Sequence, residues 1–550
     1  MLLCSLPTNT SYRCQFRTNS KEVNLLIDIM APVPPKYKIA HSKKLGRYLV
    51  AAKNVAPREV IIREEPIAVG PMTYKKDYCF CFACLRSLPK IGAENRYACS
   101  RCNFAPLCSV ACEVRTNHHT SDECQIFKDN RELLEETEID VTKILLALRL
   151  WLTKYRNPTI WEKINQMEAH LDKRIGTPVW KEKEIDVVDV IQKLRIPDKT
   201  EPPSAELMQK LCGILDVNTF ELRSPGVLDG LLLRGLYIEA ILMAHDCRSN
   251  TYLTVDDNFQ LIVYASVPIK QDEPILFNYT SSLLGTAERR EHLRKEKYFE
   301  CECPLCEDPY ELQSHLSSVL CPRCKEGFVG MRDTSVIAPY EQESRWQCHM
   351  CKKAYSGRLI RTTLNICKTL VDECEDIDVK TIDNLLKKLS RSLHTNHFLM
   401  LSLKQKLLTV CRREITSLNP RRKIIQKMLD TCKEVYDVLD IVEPGISRSK
   451  GIMLYEIHLP MIILANQFYS ACEISSTQLL CQLEEARDIL KKALTMLLLE
   501  PMTTPEGKLA KRALEELRTL NQNISDIKSL PPEKSKVHAR KAKEQRKKIK

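Results

Sequence analysis

The spacing of the cysteines constrains this chain more than any other feature of its sequence. The 550 residues include 25 cysteines, and many form pairs with two or three residues between them. Residues 79–124 contain three such pairs, followed by two adjacent histidines and a last cysteine. Structural zinc takes four sulfur or nitrogen donors, so eight donors predict two closed sites that supply most of the folding free energy of this short segment. Cys79 is surplus, and the predicted donors are Cys81, Cys84, Cys99, Cys102, Cys108, Cys112, one histidine and Cys124.

A second cluster lacks one donor within its own segment. The stretch KYFECECPLCED, residues 297–308, supplies Cys301, Cys303 and Cys306, whereas tetrahedral zinc takes four ligands. We predict that Cys247, in the run ILMAHDCRSNTYL of residues 241–253, is the missing ligand. Such a long-range ligand would close a loop that chain entropy otherwise leaves open. The alternative is that Cys247 is an inert core thiol and that water or another residue completes the site.

A third cluster has the spacing of a zinc ribbon. It contains two Cys-x2-Cys pairs, each of which is expected to form a knuckle at the end of a small hairpin. We expect this zinc site to have a structural role and not to contact a substrate. The pairs are Cys321 with Cys324 and Cys348 with Cys351. Later cysteines fall at apolar helical positions and are expected to be core residues, because free cysteine is readily buried. They are Cys367, Cys374, Cys411, Cys432, Cys472 and Cys481.

Charge and hydrophobicity restrict the compartment. The opening MLLCSLPTNTSYR lacks a charged start and a long apolar run, and no stretch approaches the 18 apolar residues of a membrane helix. We therefore expect a soluble, reduced, intracellular protein without membrane contact. The net charge is +12, but residues 534–550 alone carry nine Lys or Arg and one Glu. This basic tail, expected to be disordered, is either a solubilising end or an import or weak nucleic-acid contact.

Hydrophobic periodicity places the clusters within an α+β chain. Short β-branched runs from 36 to 69 predict antiparallel strands, which return at TYLTV and LIVYASV. The segment from 129 to 221 is mainly helical, since VTKILLALRLWLTKYR spaces its apolar residues three and four apart. Beyond residue 359, amphipathic helices follow in series and predict stacked, repeat-like hairpins. Two separated strand blocks around an insert predict one split sheet domain.

The ordered set of motifs resembles the SET and MYND domain (SMYD) family of protein lysine methyltransferases, in particular its arthropod-type SmydA branch. The resemblance covers nearly the whole chain and is carried by LGRYLVAAKNVAPREVIIREEP, the cysteine-rich segment, VNTFEL, LYIEAILMAHDCRSNT and EPILFNYTSSLLGTAERREHLRKEKYFECECPLC. It implies an α+β fold made of these parts: an N-terminal extension (1–34), a split SET β-fold (35–75 and 226–300), an inserted MYND zinc finger (76–127), a helical insert (128–225), a post-SET zinc site with a zinc ribbon (301–357), a C-terminal helical, TPR-like domain (358–524) and the basic tail (525–550).

The resemblance also implies how the two finger sites interleave their ligands. One ion would bind the first and third cysteine pairs, and the other would bind the second pair, a histidine and Cys124. The usual family spacing points to position 120, which here is Thr120. We choose His119, with His118 as the alternative. MYND fingers bind short proline-rich peptides, so the resemblance implies a protein partner.

A SET enzyme would transfer a methyl group from S-adenosylmethionine to a neutral lysine amine, which requires alignment and a dry passage. No G-x-G-x-x-G follows a strand, so a Rossmann methyltransferase is disfavoured. Tyr279 matches the catalytic tyrosine of the family, although without the resemblance it could be an ordinary strand aromatic. An aromatic before Cys301 would stack on adenine, with core packing as its alternative role. The matching cofactor positions are Gly46, Arg47, Ala244, His245 and Phe299.

Three departures from the family pattern affect the same site. Ala244 replaces an asparagine whose amide normally binds the cofactor, Tyr48 replaces a second glycine, and Lys297 replaces a second channel tyrosine, for which Tyr298 is a possible substitute. Two functions therefore remain open. The first is a zinc-containing methyltransferase acting on a histone or non-histone lysine in cytoplasm and nucleus, expected to be monomeric. The second is a catalytically degenerate adaptor or transcriptional co-regulator.

Overall fold

The structure is a computed structural model. It describes residues 35–72, 79–88, 97–114, 118–136, 139–197, 201–226, 232–332, 344–374, 378–415 and 420–529. The predicted N-terminal extension, residues 1–34, and residues 530–550 of the basic tail lie outside the described residues.

The strands on either side of the insert pair with one another. Strand β11 (Leu261–Ala265) lies between β10 (Thr251–Val255) and β3 (Val60–Glu64), all antiparallel. Strand β8 (Leu232–Leu236) lies between β4 (Ala68–Pro71) and β7 (Phe220–Arg223), also antiparallel. Strands β9 (Ala244–His245) and β12 (Leu276–Phe277) form a short parallel pair. Strands from before and after the insert therefore build one split domain. The strands of this part are β1 (Tyr37–Ser42), β2 (Gly46–Ala51), β3 (Val60–Glu64), β4 (Ala68–Pro71), β5 (Cys79–Phe80), β6 (Ser87–Leu88), β7 (Phe220–Arg223), β8 (Leu232–Leu236), β9 (Ala244–His245), β10 (Thr251–Val255), β11 (Leu261–Ala265) and β12 (Leu276–Phe277).

The inserted region is helical, except at its end. Strand β7 lies within the residues that we assigned to the helical insert, and it pairs with β8, so the second block of strands begins before residue 226. The pairing partner decides this boundary, because four residues carry too little periodicity to distinguish strand from helix. The helices are α1 (Val110–Val114), α2 (Ser121–Asp129), α3 (Arg131–Glu136), α4 (Val141–Arg156), α5 (Pro158–Asn165), α6 (Leu171–Arg174), α7 (Pro178–Lys183), α8 (Asp189–Lys193) and α9 (Ala205–Asn218), with a π-helical turn at Glu184–Val188.

Helix α4 is the central helix of the first core. Asp140 caps its amino end by accepting a hydrogen bond from the Thr142 amide, and the helix buries eleven of its sixteen residues. It lies so close to β4 that a Cβ added at Gly70 would lie 2.8 Å from the Leu146 Cβ. The same core includes Phe80, Phe82 and Phe127 of the cysteine-rich segment. The finger therefore packs on the split domain and does not rely on metal alone.

The second half of the described chain is a small sheet followed by long helices. Helix α10 (Thr286–His292) and a π-helical turn (Leu293–Lys297) lead into α11 (Pro304–Glu307). A four-stranded antiparallel sheet contains β13 (Val319–Leu320), β14 (Phe328–Met331), β15 (Arg345–Cys348) and β16 (Ala354–Ser356). The helices after it are α12 (Gly357–Asp372), α13 (Val379–Leu389), α14 (Phe398–Ile415), α15 (Arg422–Val442), α16 (Arg448–Ser470), α17 (Ser476–Leu497) and α18 (Pro505–Ser529). Helix α18 continues five residues past the predicted start of the tail.

The helical end docks on the split domain through the turn between α15 and α16. Gly445 has φ +74°, and a Cβ there would lie 1.9 Å from the Ser266 carbonyl oxygen, so only glycine fits. Arg248, just after Cys247, donates to the Ile441 carbonyl at 2.8 Å. None of the described helices combines the length and the apolarity that a bilayer crossing requires.

Candidate metal centres and active site

Four cysteine sulfurs meet where β9 ends. The Cys247 cluster, made of Cys247, Cys301, Cys303 and Cys306, has all four sulfurs within 4.8 Å of one another, and all four residues are buried. The Cys247 sulfur lies 3.9 Å from that of Cys301 and 3.5 Å from that of Cys306. Sulfurs bound tetrahedrally to one zinc ion lie about 3.8 Å apart. The donor set and its spacing therefore fit zinc, and the inert-thiol alternative for Cys247 does not describe its position.

Local hydrogen bonds shape the turn that presents Cys247. The Asp246 carboxylate accepts from the Arg248 amide at 2.8 Å, and the Asn278 side chain donates to the Cys247 carbonyl at 3.3 Å. The adjoining parallel pair of β9 and β12 sets Ala244 opposite Leu276. The strand that leads to Tyr279 therefore holds this turn in place.

Arg289 is a neighbour of this cluster that sequence reasoning missed. Its guanidinium is fully buried, donates to the Cys306 sulfur at 3.6 Å and lies 3.4 Å from Glu311. A buried cation beside thiolates offsets part of their negative charge. No spacing rule identifies it, because Arg289 is one of several basic residues in HLRKEK and the segment before it.

The cysteine-rich segment forms two interleaved donor sets. The first and third cysteine pairs lie together, with the sulfurs of Cys84 and Cys108 3.7 Å apart. The second pair lies with His119 and Cys124, whose sulfur is 3.7 Å from that of Cys99. The sets are Cys81, Cys84, Cys108, Cys112 and Cys99, Cys102, His119, Cys124.

His119, and not His118, faces the second donor set. The His119 Nε2 lies 3.7 Å from the Cys102 sulfur, whereas the His118 ring packs edge-on against Phe259 at 5.6 Å. Burial lowers the pKa of His118 to about 3. The family spacing would place the histidine at position 120. That residue is Thr120 in this chain, and it caps helix α2.

A buried carboxylate orients His119. Glu123, with no exposed surface, lies 2.9 Å from the His119 Nδ1, so that Nε2 is directed at the donor set. Arg149 donates to Glu123 and also to the carbonyls of Val69 and Phe82, and its guanidinium holds the pKa of the Glu123 carboxyl below its usual range. Carboxylates of this kind fix the tautomer of a ligating histidine. The network links the finger to α4 and β4.

Replacing Glu123 with glutamine is expected to weaken zinc binding at this one site by about 10- to 100-fold, because the second-shell carboxylate no longer fixes the imidazole. Competition with a chromogenic chelator measures the affinity. The matched control is Glu135→Gln, an exposed carboxylate paired with Arg131 on the next helix. Equal chelator resistance of the Glu123→Gln protein and wild type would contradict the assigned role.

The third predicted cluster is also assembled. The sulfur of Cys321 lies 3.7 Å from that of Cys351, and the sulfurs of Cys324 and Cys348 lie 3.7 Å apart, at one end of the β13 to β16 sheet. The Tyr355 hydroxyl lies 3.1 Å from the Cys321 sulfur. The described chain therefore contains four donor sets whose chemistry and spacing suit four zinc ions.

Tyr279 lies beside the Cys247 cluster. Its amide donates to the His245 Nδ1 at 3.1 Å, and its hydroxyl donates to the Met243 carbonyl. The His245 ring lies 5.1 Å from the Tyr279 ring and 5.7 Å from the Phe299 ring, while its Nε2 is 3.4 Å from the Cys247 sulfur. Burial raises the pKa of Tyr279 and lowers that of His245 to about 4, so both side chains are neutral.

The turn before β2 approaches the same region. Lys44 forms an ion pair with Glu302 at 2.7 Å, which links this turn to the Cys247 cluster. Gly46 has φ +66°, and no atom lies within 4 Å of where its Cβ would be. The neighbouring Arg47 donates to the Gln166 carbonyl at 2.7 Å, so its guanidinium is directed toward the helical insert.

Lys297 and Tyr298 take separate directions. The Lys297 Nζ lies 5.9 Å from the centre of the Tyr279 ring. Tyr298 has φ +61°, and its hydroxyl accepts from Arg174 at 3.2 Å. Tyr298 therefore packs on the helical insert and is not positioned to replace the missing second tyrosine beside Tyr279.

Comparisons with known proteins find SET and MYND domain relatives. Over 351 residues, the chain is 25% identical to SET domain-containing protein SmydA-8, isoform A, of Drosophila melanogaster. The aligned region covers 62% of this chain and 70% of the fly protein. The chain is similar to proteins of the SET and MYND domain family. It is also 22% identical over 367 residues to the histone-lysine N-methyltransferase Smyd1 of Mus musculus, covering 64% of this chain and 70% of that one. With human histone-lysine N-methyltransferase SMYD3 it shares 25% over 285 residues, or 50% and 62% of the two chains.

The fly relative supports the SmydA branch that the sequence indicates, and the α+β class is confirmed. No family model matches the chain. A solved SET domain, that of LSMT bound to lysine and AdoHcy, aligns with 78% of this chain and 89% of its own at 12% identity, with a TM-score of 0.29. A TM-score this low carries no structural argument, so the strand pairing and the donor sets of this chain define its architecture.

Proposed function

We propose that this SET and MYND domain protein transfers a methyl group from S-adenosylmethionine to a lysine amine of a protein. The relatives named as histone-lysine methyltransferases support this reaction class. The observation that carries the proposal is the Cys247 cluster, because it holds the turn with His245 against the segment with Phe299, directly beside Tyr279.

The residues of the chain would act by positioning and by excluding water. S-adenosylmethionine supplies, when bound, a methyl group on a positively charged sulfur. Tyr279 stays neutral because burial raises its pKa, and its hydroxyl donates to the Met243 carbonyl, which leaves the oxygen lone pairs as acceptors for a lysine ammonium. Desolvation beside these rings lowers the pKa of an entering lysine and favours the amine that can react.

The fit of the cofactor is mixed. Gly46 offers a left-handed turn with open space, and Phe299 offers a half-buried aromatic face beside His245. Against this, Ala244 has no side-chain amide to bind the cofactor, and a lost hydrogen bond to a charged group costs about 1.5 to 3 kcal/mol. Tyr48 also restricts the approach to the turn. We therefore expect weak cofactor binding rather than none.

Calorimetric titration with S-adenosylmethionine tests this proposal. We expect measurable binding to wild type and about tenfold tighter binding to Ala244→Asn, which restores the amide. The control is Ala265→Asn at a buried position of β11, which should not improve binding. Absence of heat and of a thermal shift at millimolar cofactor, for wild type and Ala244→Asn alike, would reject the enzyme.

The second candidate is an adaptor that has retained the fold, favoured by the three departures from the family pattern at Ala244, Tyr48 and Lys297. In that case the finger would bind proline-rich peptides and the helical end would contribute a further protein surface. Presence in cytoplasm and nucleus, and weak nucleic-acid contact by the tail, are parts of either proposal. Both functions need the zinc sites, so metal content does not distinguish them, whereas the cofactor titration does.

A further inference from the structure

The Lys297 amine lies near Tyr279, whose hydroxyl oxygen is the proposed contact of a substrate lysine ammonium; the surroundings of Tyr279 are called the acceptor site below. The Nζ lies 5.9 Å from the centre of the Tyr279 ring, and it donates to the Val217 carbonyl at 2.5 Å, near the end of helix α9. The side chain is half-buried. The hydrogen-bond partner of the amine is a carbonyl rather than a carboxylate. The Lys297 ammonium is therefore stabilised by a hydrogen bond and not by an opposite charge, as an entering lysine ammonium would be.

The neighbouring residues hold Lys297 in this direction. The π-helical turn Leu293–Lys297 ends at Tyr298, whose left-handed backbone and bond to Arg174 point it the other way. The Tyr298 carbonyl accepts from Lys173 at 2.9 Å. With Tyr298 tied to the helical insert on both its side chain and its backbone, the preceding residue is left facing Tyr279.

No carboxylate of the described residues lies within ion-pair distance of the Lys297 amine. Asp216, a half-buried carboxylate on α9, accepts from Arg174 at 2.7 Å and from Arg234 at 2.8 Å, so two guanidinium groups compensate its charge. Burial lowers the pKa of Lys297, which brings the side chain closer to the neutral form of a methyl acceptor. Lys297 therefore has the same side chain as a substrate lysine and lies near the same tyrosine.

We propose that Lys297 is an internal occupant of the acceptor-lysine site, and that a substrate lysine must displace it from the Tyr279 ring and the Val217 carbonyl. This inference rests on the proposed function for the meaning of the site. An internal competitor raises the apparent dissociation constant of a ligand by the inverse of the fraction of time for which the site is free. Substrate selection would therefore require contacts outside the site that favour displacement.

Binding of a minimal acceptor tests the occupancy without any methyl transfer. The probe is Nα-acetyl-lysine methylamide, titrated by ligand-observed NMR into wild type, Lys297→Met and Lys295→Met. Methionine keeps an unbranched apolar side chain, and Lys295 is an exposed residue of the same turn, paired with Glu291. We expect Lys297→Met to bind the probe about tenfold more tightly than wild type and Lys295→Met to bind as wild type does. Equal affinity for all three proteins, or no binding to any, would overturn the proposal.

A second measurement separates occupancy from mere burial. Reductive methylation of wild type with formaldehyde and cyanoborohydride should label Lys297 more slowly than Lys295, as read by peptide mass spectrometry. Adding Nα-acetyl-Nε,Nε-dimethyl-lysine methylamide, whose tertiary amine does not react, should release Lys297 and speed its labelling while leaving Lys295 unchanged. Labelling of Lys297 that is insensitive to a binding concentration of this probe contradicts displacement. Failure of the cofactor titration alone rejects the enzyme and leaves these two results unaffected.

Discussion

Replacing Cys247 with alanine should reduce the zinc content of the purified protein from four ions to three. The Cys247 sulfur is the only ligand of its cluster that comes from the turn after β9, so its loss leaves three sulfurs and releases that turn. Structural zinc contributes about 10 to 16 kcal/mol of apparent binding free energy in isolated fingers. We expect a lower first thermal transition and faster amide exchange at residues 244–250 and 299–307, measured by hydrogen–deuterium exchange.

The matched control for this prediction is Cys212→Ala, since Cys212 is equally buried on α9 but belongs to none of the four donor sets. It should keep four zinc ions and lose only packing energy. Plasma mass spectrometry counts the metal in both proteins. Four zinc ions in Cys247→Ala would show that this sulfur is not a ligand and would remove the physical basis of the proposed active site.

Replacing Tyr279 with phenylalanine should lower the rate of methyl transfer by about 100- to 1000-fold, the usual loss when one positioned hydrogen-bonding group is removed from a reacting site. Affinity for S-adenosylmethionine should change little, because the ring and its contact with His245 remain. Transfer of radiolabelled methyl groups to a lysine peptide library measures the rate, and calorimetry measures the affinity.

The control is Tyr264→Phe on β11, a tyrosine that packs 6.2 Å from Tyr252 and lies outside the proposed site. Its rate should equal that of wild type. Tyr279→Phe also leaves the Met243 carbonyl without its hydroxyl donor, which costs about 1 to 3 kcal/mol if no other group replaces it. Melting curves of both variants therefore accompany the rates. A Tyr279→Phe protein as active as wild type would remove the phenol from the mechanism.

The metal donors illustrate what short-range pattern is able to predict. Ligands two or three residues apart must share an ion because the chain cannot separate them, and the deficit of one donor in residues 301–306 was enough to indicate Cys247. The choice between His118 and His119 was different, since both are within reach of the same site. Packing of His118 against Phe259 and the bond of Glu123 to His119 separate them.

The supporting groups were not predictable in the same way. Arg149, Glu123 and Arg289 are charged residues that helical pattern alone would place at a surface, yet all three are buried. Arg149 pairs with Glu123, 26 residues away, and Arg289 pairs with Glu311, 22 residues away. The burial of these charges therefore depends on contacts between separate segments. A single sequence contains no signal for such partners, because any charged residue at a compatible distance would satisfy the same rule.

Local spacing and the order of motifs are enough to predict the α+β class, the split of the sheet domain around an insert and the sulfur donors of the zinc sites, whereas Tyr279 is indicated by the family resemblance. The orientation of the side chains around that phenol depends on the folded chain. Tyr298 is directed to Arg174 and Lys297 to the Tyr279 ring because helices from the insert pack against the turn that carries them. The direction in which a side chain points depends on contacts between distant segments, and residue spacing along the chain does not specify those contacts.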